Sequence, residues 1–181
     1  MNQEAFIENL VQVANLDGPV NEPKTPYRSG YPVDSIPNDK NNTPAQQAKI
    51  TKDMQIILGC LNWLSISTRP DISTITNLLA KYTSEPSRGH LTHAKRVIKY
   101  LKGTKSKGIL FTTQPQTDIE SFVNFPLPPN TITSLCDANW GPQDQSRPNH
   151  NKRLPELELF KTRSLSGFLI WLGGPIHWVS K

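Results

Sequence analysis

The sequence predicts a mixed α/β (α+β) protein in which a layer of helices precedes an incomplete, three-stranded antiparallel sheet. Apolar residues recur at helical spacing through residues 45–102, whereas from residue 131 onward they alternate at the period of a strand. The change falls in residues 113–130, a stretch rich in proline and polar residues that predicts a linker between two domains. The predicted order is a helix at 1–17, an extended linker at 18–44, a helical segment at 45–112, the second linker at 113–130 and the sheet at 131–181.

Composition and charge limit the kinds of protein that this chain can represent. Of its 181 residues 35% are hydrophobic and 16 are prolines, so parts of the chain should be loop rather than packed core. Twenty Lys and Arg residues against 15 Asp and Glu residues give a formal net charge of +5, which favours a polyanionic partner if the basic residues cluster. Cys60 and Cys136 are isolated, which predicts reduced thiols rather than a metal site or a disulfide framework.

The sequence also predicts where the protein works. No apolar run approaches the ~20 residues that a membrane span needs, and the polar N-terminus is not a signal peptide. We therefore expect an intracellular protein of the cytoplasm or nucleus that is not secreted and has neither a membrane nor a small-molecule substrate as its partner.

The first predicted element is an amphipathic helix. Phe6, Leu10, Val13 and Leu16 recur at helical spacing, and the turn residues at 17–19 should end the helix. Residues 18–44 then carry few apolar anchors, which predicts an extended connector.

Three more helices are predicted between residues 43 and 103. Thr43 supplies an N-cap and Pro44 a first helical residue for a helix that ends at Arg69-Pro70. Its inward stripe should consist of Ile50, Met54, Ile57, Leu58, Leu61 and Leu64. Asp71 is predicted to cap the next helix, which ends before Pro86. The last of the three runs from about Ser87 to Lys102, with Gly103 just past its end, and a short strand should follow at 108–112.

The sheet is predicted from three apolar runs. Residues 131–137 and 164–172 each fit a strand, and a polar excursion separates them. Gly173, Gly174 and Pro175 form a strong turn signal, after which residues 176–180 return as a third strand.

Basic residues cluster on the last predicted helix and just beyond it, with no acid between residues 87 and 108. The seven are Arg88, Lys95, Arg96, Lys99, Lys102, Lys105 and Lys107. Spacing places Lys95, Lys99 and Lys102 on one face, opposite the apolar positions, where they could contact the phosphates of a duplex or an RNA/DNA hybrid without reading its sequence. The alternative is a solvated helix face whose lysines complement the helix dipole.

Other candidate groups predict structure rather than chemistry. His90 and His93 share a helix face, but two ligands do not make a closed metal site. The four tryptophans are assigned to core and sheet packing rather than to base stacking: Trp63, Trp140, Trp171 and Trp178.

Asp137 is the sharpest catalytic candidate. It stands at the end of a predicted apolar strand, the position from which two-metal nucleases present a Mg²⁺ ligand on a rigid support. The alternative is an ordinary aspartate that turns the chain after a strand.

Five blocks of sequence resemble one family in the same order. They are LGCLNWL at 58–64, TRPDI at 68–72, AKRVIKYLKGT at 94–104, CDANWG at 136–141 and LGGPIHWVSK at 172–181. Together they resemble the Pol polyprotein of copia-type LTR retrotransposons, from the reverse-transcriptase thumb and connection segment into the start of the RNase H domain. The resemblance implies that the sheet is an incomplete RNase-H-like sheet.

The resemblance also implies a Mg²⁺-dependent parent enzyme. In that family RNase H holds two Mg²⁺ ions with four acids, of which Asp137 matches the first; the later acids and the polymerase aspartates have no counterpart in this chain. We therefore expect a polyprotein fragment, truncated at both ends, that is inactive and binds no Mg²⁺ alone. The alternatives are a non-catalytic nucleic-acid-binding module that uses residues 88–107, or a pseudogene product without function. The extra residues 145–161 put any role for Asp144 in doubt.

Overall fold

The structure is a computed structural model that describes residues 1–27, 33, 36–37, 39, 42–112, 131–139 and 165–180. The chain divides into two compact units, residues 1–111 and 112–181. The described part of the first unit is helical, and that of the second is an antiparallel sheet. The predicted mixed α/β class is therefore confirmed.

Four α-helices form the first unit: α1 (Glu4–Val13), α2 (Pro44–Ser67), α3 (Ser73–Ala80) and α4 (Arg88–Gly103). Local chemistry explains where α2 and α4 begin. Thr43 and Gln46 form a reciprocal capping box ahead of Pro44, as Ser87 and His90 do ahead of Arg88. None of the helices that the structure describes combines the length and apolarity that a membrane crossing requires.

A single apolar core joins the four helices. Helix α1 packs on α4, and α2 packs on both α3 and α4. The predicted inward stripe of α2 is confirmed, because all six of its residues are buried. From α4 the core receives Ala94, Val97, Ile98 and Leu101, so the opposite side of that helix is left to its polar and basic residues.

Helix α1 differs from its prediction in both its end and its inward face. It ends at Val13, where Asn15 adopts a left-handed conformation with φ of 54°. The amides of Asn15 and Leu16 donate to the carbonyls of Gln12 and Val11, the pattern of a Schellman C-cap. Val11 is consequently buried and the predicted inward residue Val13 is exposed.

Two other local predictions are wrong. Residues 108–112 form no strand; instead, Ile109 exchanges two backbone hydrogen bonds with Met1. Asp71 does not cap a helix, because its carboxylate binds Arg69 and Tyr100, and a short 3-10 turn at Pro70–Ile72 leads into α3 instead.

The second unit contains strands β1 (Thr133–Asn139), β2 (Leu165–Trp171) and β3 (Pro175–Ser180), in that order. Both pairings are antiparallel, as predicted, and an irregularity at Ile170/Trp171 shifts the register of β2 on β3. Gly173 has a φ of 63° in the predicted turn, a conformation that glycine adopts without steric cost. The predicted linker at 113–130 and excursion at 140–162 lie outside the described residues.

Candidate nucleic-acid interface

Two side chains accept hydrogen bonds from the backbone at the N-terminus of α4, one from within the helix and one from an earlier segment of the chain. The Ser87 amide donates to Nδ1 of His90 at 3.0 Å, and the Arg88 amide donates to the Asp39 carboxylate at 2.7 Å. The buried His90 ring stacks on Tyr82, with ring centroids 4.1 Å apart. These contacts set the rotation of α4 and therefore decide which residues point away from the core.

Three basic residues form a line along the outer side of α4. Arg88, Lys95 and Lys99 stand at i, i+7 and i+11, which in an α-helix places them within one narrow stripe about 16 Å long. Arg88 is exposed and both lysines are partly exposed. Within the described part of the chain, none of these three side chains makes a hydrogen bond or an ion pair. We call Arg88, Lys95 and Lys99 the outer stripe.

The other predicted binding residues have different surroundings. The ammonium group of Lys102 donates to three carbonyl oxygens just after α1, those of Leu16, Asp17 and Gly18, at 3.0, 3.3 and 2.7 Å. All three acceptors lie beyond Val13, the last residue of α1, so Lys102 holds the segment that follows this helix. Lys102 thus has the same helical face as Lys95, as predicted, but its ammonium group is already occupied by these carbonyls.

Lys105 and Arg96 also contact the N-terminal segment, while Lys107 is exposed. Lys105 lies 2.5 Å from a carboxylate oxygen of Glu8 and 3.1 Å from one of Glu4, both on α1. The hydrogen bond to Glu8 and the weaker one to Glu4 raise the pKa of Lys105 above its usual value. Arg96 donates to the carbonyl of Thr25 at 3.3 Å. We call the seven predicted binding residues between Arg88 and Lys107 the basic run. It is thus divided between residues that face solvent and residues held by the N-terminal segment.

A buried polar network fixes the far end of α4. Arg69, only 2% exposed, makes a bidentate pair with Asp71 through hydrogen bonds of 2.9 and 2.7 Å. It also donates to the backbone carbonyl and the hydroxyl of Thr104, and its guanidinium lies 5.4 Å from the centre of the Tyr100 ring. The Tyr100 hydroxyl donates to Asp71 at 2.6 Å. The network therefore ties the TRPDI block to the YLKGT block, 35 residues apart between Arg69 and Thr104.

The network predicts a loss of stability in acid. Burial by itself would raise the pKa of Asp71, but hydrogen bonds from Arg69 and Tyr100 outweigh burial and hold it below the usual value of 3.8. A carboxylate whose pKa is lower in the folded state stabilises the fold above its unfolded pKa, and that contribution is lost as the pH falls through the folded pKa. We expect the free energy of unfolding to fall below about pH 4, with a shallower fall in Asp71→Asn. Denaturant melts at several pH values measure this, and equal acid dependence in both proteins would contradict it.

The tryptophans are not all in the core. Trp171 is buried, but Trp63 is 51% exposed, so its assignment to packing is wrong. With Ile56 and Ile66, Trp63 forms a second apolar stripe on the outer side of α2, at i, i+7 and i+10. The sequence contains that spacing, but the inward stripe of α2 has more apolar residues and accounts for the helix by itself. Trp140 lies outside the described residues.

The metal candidates come together nowhere in the described residues. Asp137 lies within β1 and pairs in register with Gly167, while β1 continues to Asn139, so this acid does not end its strand as predicted. The structure does not describe the Asp137 side chain, and Asp144 lies outside the described residues. His90 caps the N-terminus of α4. Burial and, to a smaller extent, the charge of Arg96 lower the pKa of His93. Among the described residues, no three His, Cys, Asp or Glu side chains lie together in a way that could hold a metal ion.

Several curated proteins resemble the chain over most of its length. It is 28% identical over 125 residues to the secreted RxLR effector protein 161 of Plasmopara viticola, and the match covers 68% of each chain. It is 28% identical over 145 residues to an uncharacterized mitochondrial protein of Arabidopsis thaliana, and this match covers 78% of this chain and 48% of that protein. It is 29% identical over 127 residues to the retrovirus-related Pol polyprotein from transposon RE1 of Arabidopsis thaliana, and this match covers 69% of this chain and 7% of the polyprotein. The chain thus spans about half the length of the mitochondrial protein and a small part of the polyprotein. No family model matches the chain, and no solved structure gives a significant match.

Proposed function

We propose that the chain is a segment of a retrotransposon Pol polyprotein, to which it is similar, and that its helical unit holds a nucleic-acid duplex through the phosphate backbone. The observation that carries the proposal is the outer stripe, in which Arg88, Lys95 and Lys99 face away from the core. No acid interrupts the helix, so nothing on α4 itself repels a phosphate. Contacts of this kind position a duplex without selecting its sequence.

For the parent protein we propose RNA-directed DNA polymerase and RNase H activity of the copia type. The polyprotein name of the relatives and the five ordered sequence blocks support this. In that parent Asp137 would be the first acid of a Mg²⁺-dependent RNase H site. In the intact protein Mg²⁺ would polarise the scissile phosphate and activate water. The outer stripe supports a non-catalytic nucleic-acid-binding role for the chain itself, because such a role requires no catalytic acid.

Salt dependence tests the proposed binding. Each phosphate contact contributes about −0.9 to the slope of log K against log salt, so three contacts predict a slope of about −2.7. Affinity for a short mixed-sequence duplex should therefore fall about 40-fold between 50 and 200 mM salt. Replacement of Arg88, Lys95 and Lys99 by Gln should flatten the slope and leave helix content nearly unchanged, because Gln is a good helix former. Fluorescence anisotropy of a labelled duplex at several salt concentrations measures both quantities.

A matched control removes the same charge elsewhere. Lys49, Lys52 and Lys81 are exposed lysines of the same unit, and their replacement by Gln should leave the slope near its original value. If both triple variants lower affinity and slope equally, net charge rather than the outer stripe explains binding. If the unaltered chain binds no duplex, the proposal fails.

A second expectation concerns catalysis by the 181-residue chain. Two-metal hydrolysis needs several carboxylates to hold both ions in place, and only Asp137 has been identified by its resemblance to such a ligand. We expect cleavage of an RNA/DNA hybrid to be the same with Mg²⁺ as with a chelator, as measured by gel electrophoresis of labelled RNA. Mg²⁺-dependent cleavage that Asp137→Asn abolishes would contradict this expectation.

A further inference from the structure

We propose that helix α1 competes with nucleic acid for Lys105, so that Glu4 and Glu8 act as an autoinhibitory contact on the basic run. This inference rests on the proposed duplex binding and adds its regulation. Lys105 is the residue of the run whose charged end is held by two carboxylates. The two carboxylates neutralise its charge and repel a phosphate, so a phosphate would gain the full attraction of this cation only by displacing them.

The geometry of α1 suits this competition. Glu4 and Glu8 stand one helical turn apart, so both side chains project from the same face of α1. Each approaches the same ammonium group, at 3.1 and 2.5 Å. Because all three side chains are roughly half-exposed, a phosphate from solvent can approach Lys105 without moving the apolar core. The exchange replaces charge-assisted contacts to two carboxylates by contacts of the same kind to phosphate oxygens.

The strength of the contact allows it to be displaced. Exposed ion pairs are weak because water already solvates both charges, and salt screens them further. The hydrophobic contact of Ile7, Leu10 and Val11 with the core holds α1 in place independently of these acids. Loss of the ion pairs should therefore free Lys105 while α1 stays folded.

Lys102 contacts the same segment but does not share this property. Its three acceptors are backbone carbonyl oxygens just after α1, and no side-chain substitution removes them. Its ammonium group therefore holds the segment that follows α1. We therefore assign Lys105 as the exchangeable cation and Lys102 as a structural one.

The experiment neutralises the two acids in the full-length chain. With Glu4→Gln/Glu8→Gln, Lys105 becomes available for one more phosphate, and the salt slope should steepen by about 0.9, from about −2.7 to about −3.6. At 50 mM salt the affinity for the short duplex should rise roughly tenfold. Circular dichroism should show the same helix content as in the unaltered chain.

Two further variants make the result specific. Asp53→Asn/Glu85→Gln removes two acids that make no hydrogen bond or ion pair with the basic run among the described residues, so it should raise affinity only slightly and leave the slope unchanged. Adding Lys105→Gln to the Glu4→Gln/Glu8→Gln variant should return the slope to that of the unaltered chain, because the newly available cation is then gone.

The outcomes separate this inference from the proposed function. If the unaltered chain binds with a slope near −2.7 and Glu4→Gln/Glu8→Gln behaves like the Asp53→Asn/Glu85→Gln control, the autoinhibitory contact is disproved and duplex binding stands. A gain that persists after Lys105→Gln would likewise overturn it. Failure of every variant to bind would overturn both proposals.

Discussion

Replacement of Arg69 by Met should destabilise the helical unit by about 3 kcal/mol, the lower end of the range for breaking a buried ion pair. The lower end applies because Asp71 is 34% exposed and can recover part of its hydration. The loss is still large, since the substitution also removes the donors to Thr104 and leaves its backbone carbonyl without this partner. Denaturant unfolding followed by far-ultraviolet circular dichroism measures the effect.

Arg88→Met is the matched control for this substitution. Arg88 is exposed and its side chain makes no hydrogen bond or ion pair with a described residue, so the same chemical change should alter the free energy of unfolding by less than about 0.5 kcal/mol. Arg69→Lys should remain clearly destabilised, because an ammonium group cannot reproduce the bidentate pair. Equal stability of the two methionine variants would show that the network contributes nothing.

The second large effect is expected in the core. Leu61 of α2 is fully buried, so Leu61→Ala should lower the free energy of unfolding of the helical unit by about 2–5 kcal/mol through lost burial and the cavity it leaves. Ile66 lies on the outer side of the same helix and is 60% exposed. Ile66→Ala should therefore change stability by no more than about 0.5 kcal/mol. The same melts measure both variants, and a similar loss in each would contradict the division of α2 into an inward and an outward face.

Local chemistry made part of this fold predictable. The N-termini of α2 and α4 follow from Thr43-Pro44 and from Ser87, since a cap depends on residues three or four positions away. The inward stripe of α2 follows from its spacing. The turn at Gly173 follows from the rarity of residues other than glycine that accept a positive φ without strain.

Contacts between distant residues made the rest unpredictable. Asp71 has the composition of a cap, but its carboxylate is bound by Tyr100, 29 positions away. Lys102 has the spacing of an outward residue, but its acceptors lie 84 to 86 positions earlier in the chain. A periodic pattern shows which side of a helix is apolar, and it does not show what another element brings to the polar side. The sequence therefore indicated the candidate basic residues. It did not indicate which of them face solvent and which are bound to other parts of the chain.

The pairing of Met1 with Ile109 has a practical consequence for fusion proteins. The terminal ammonium group donates to the Ile109 carbonyl at 2.6 Å, and a Cβ atom on the adjacent Gly108 would overlap the Met1 carbonyl oxygen. A tag joined to Met1 would turn this ammonium into an amide and would have to leave the protein beside a position with no room for a side chain. Purification tags and fluorescent labels for the binding measurements should therefore not be joined to Met1.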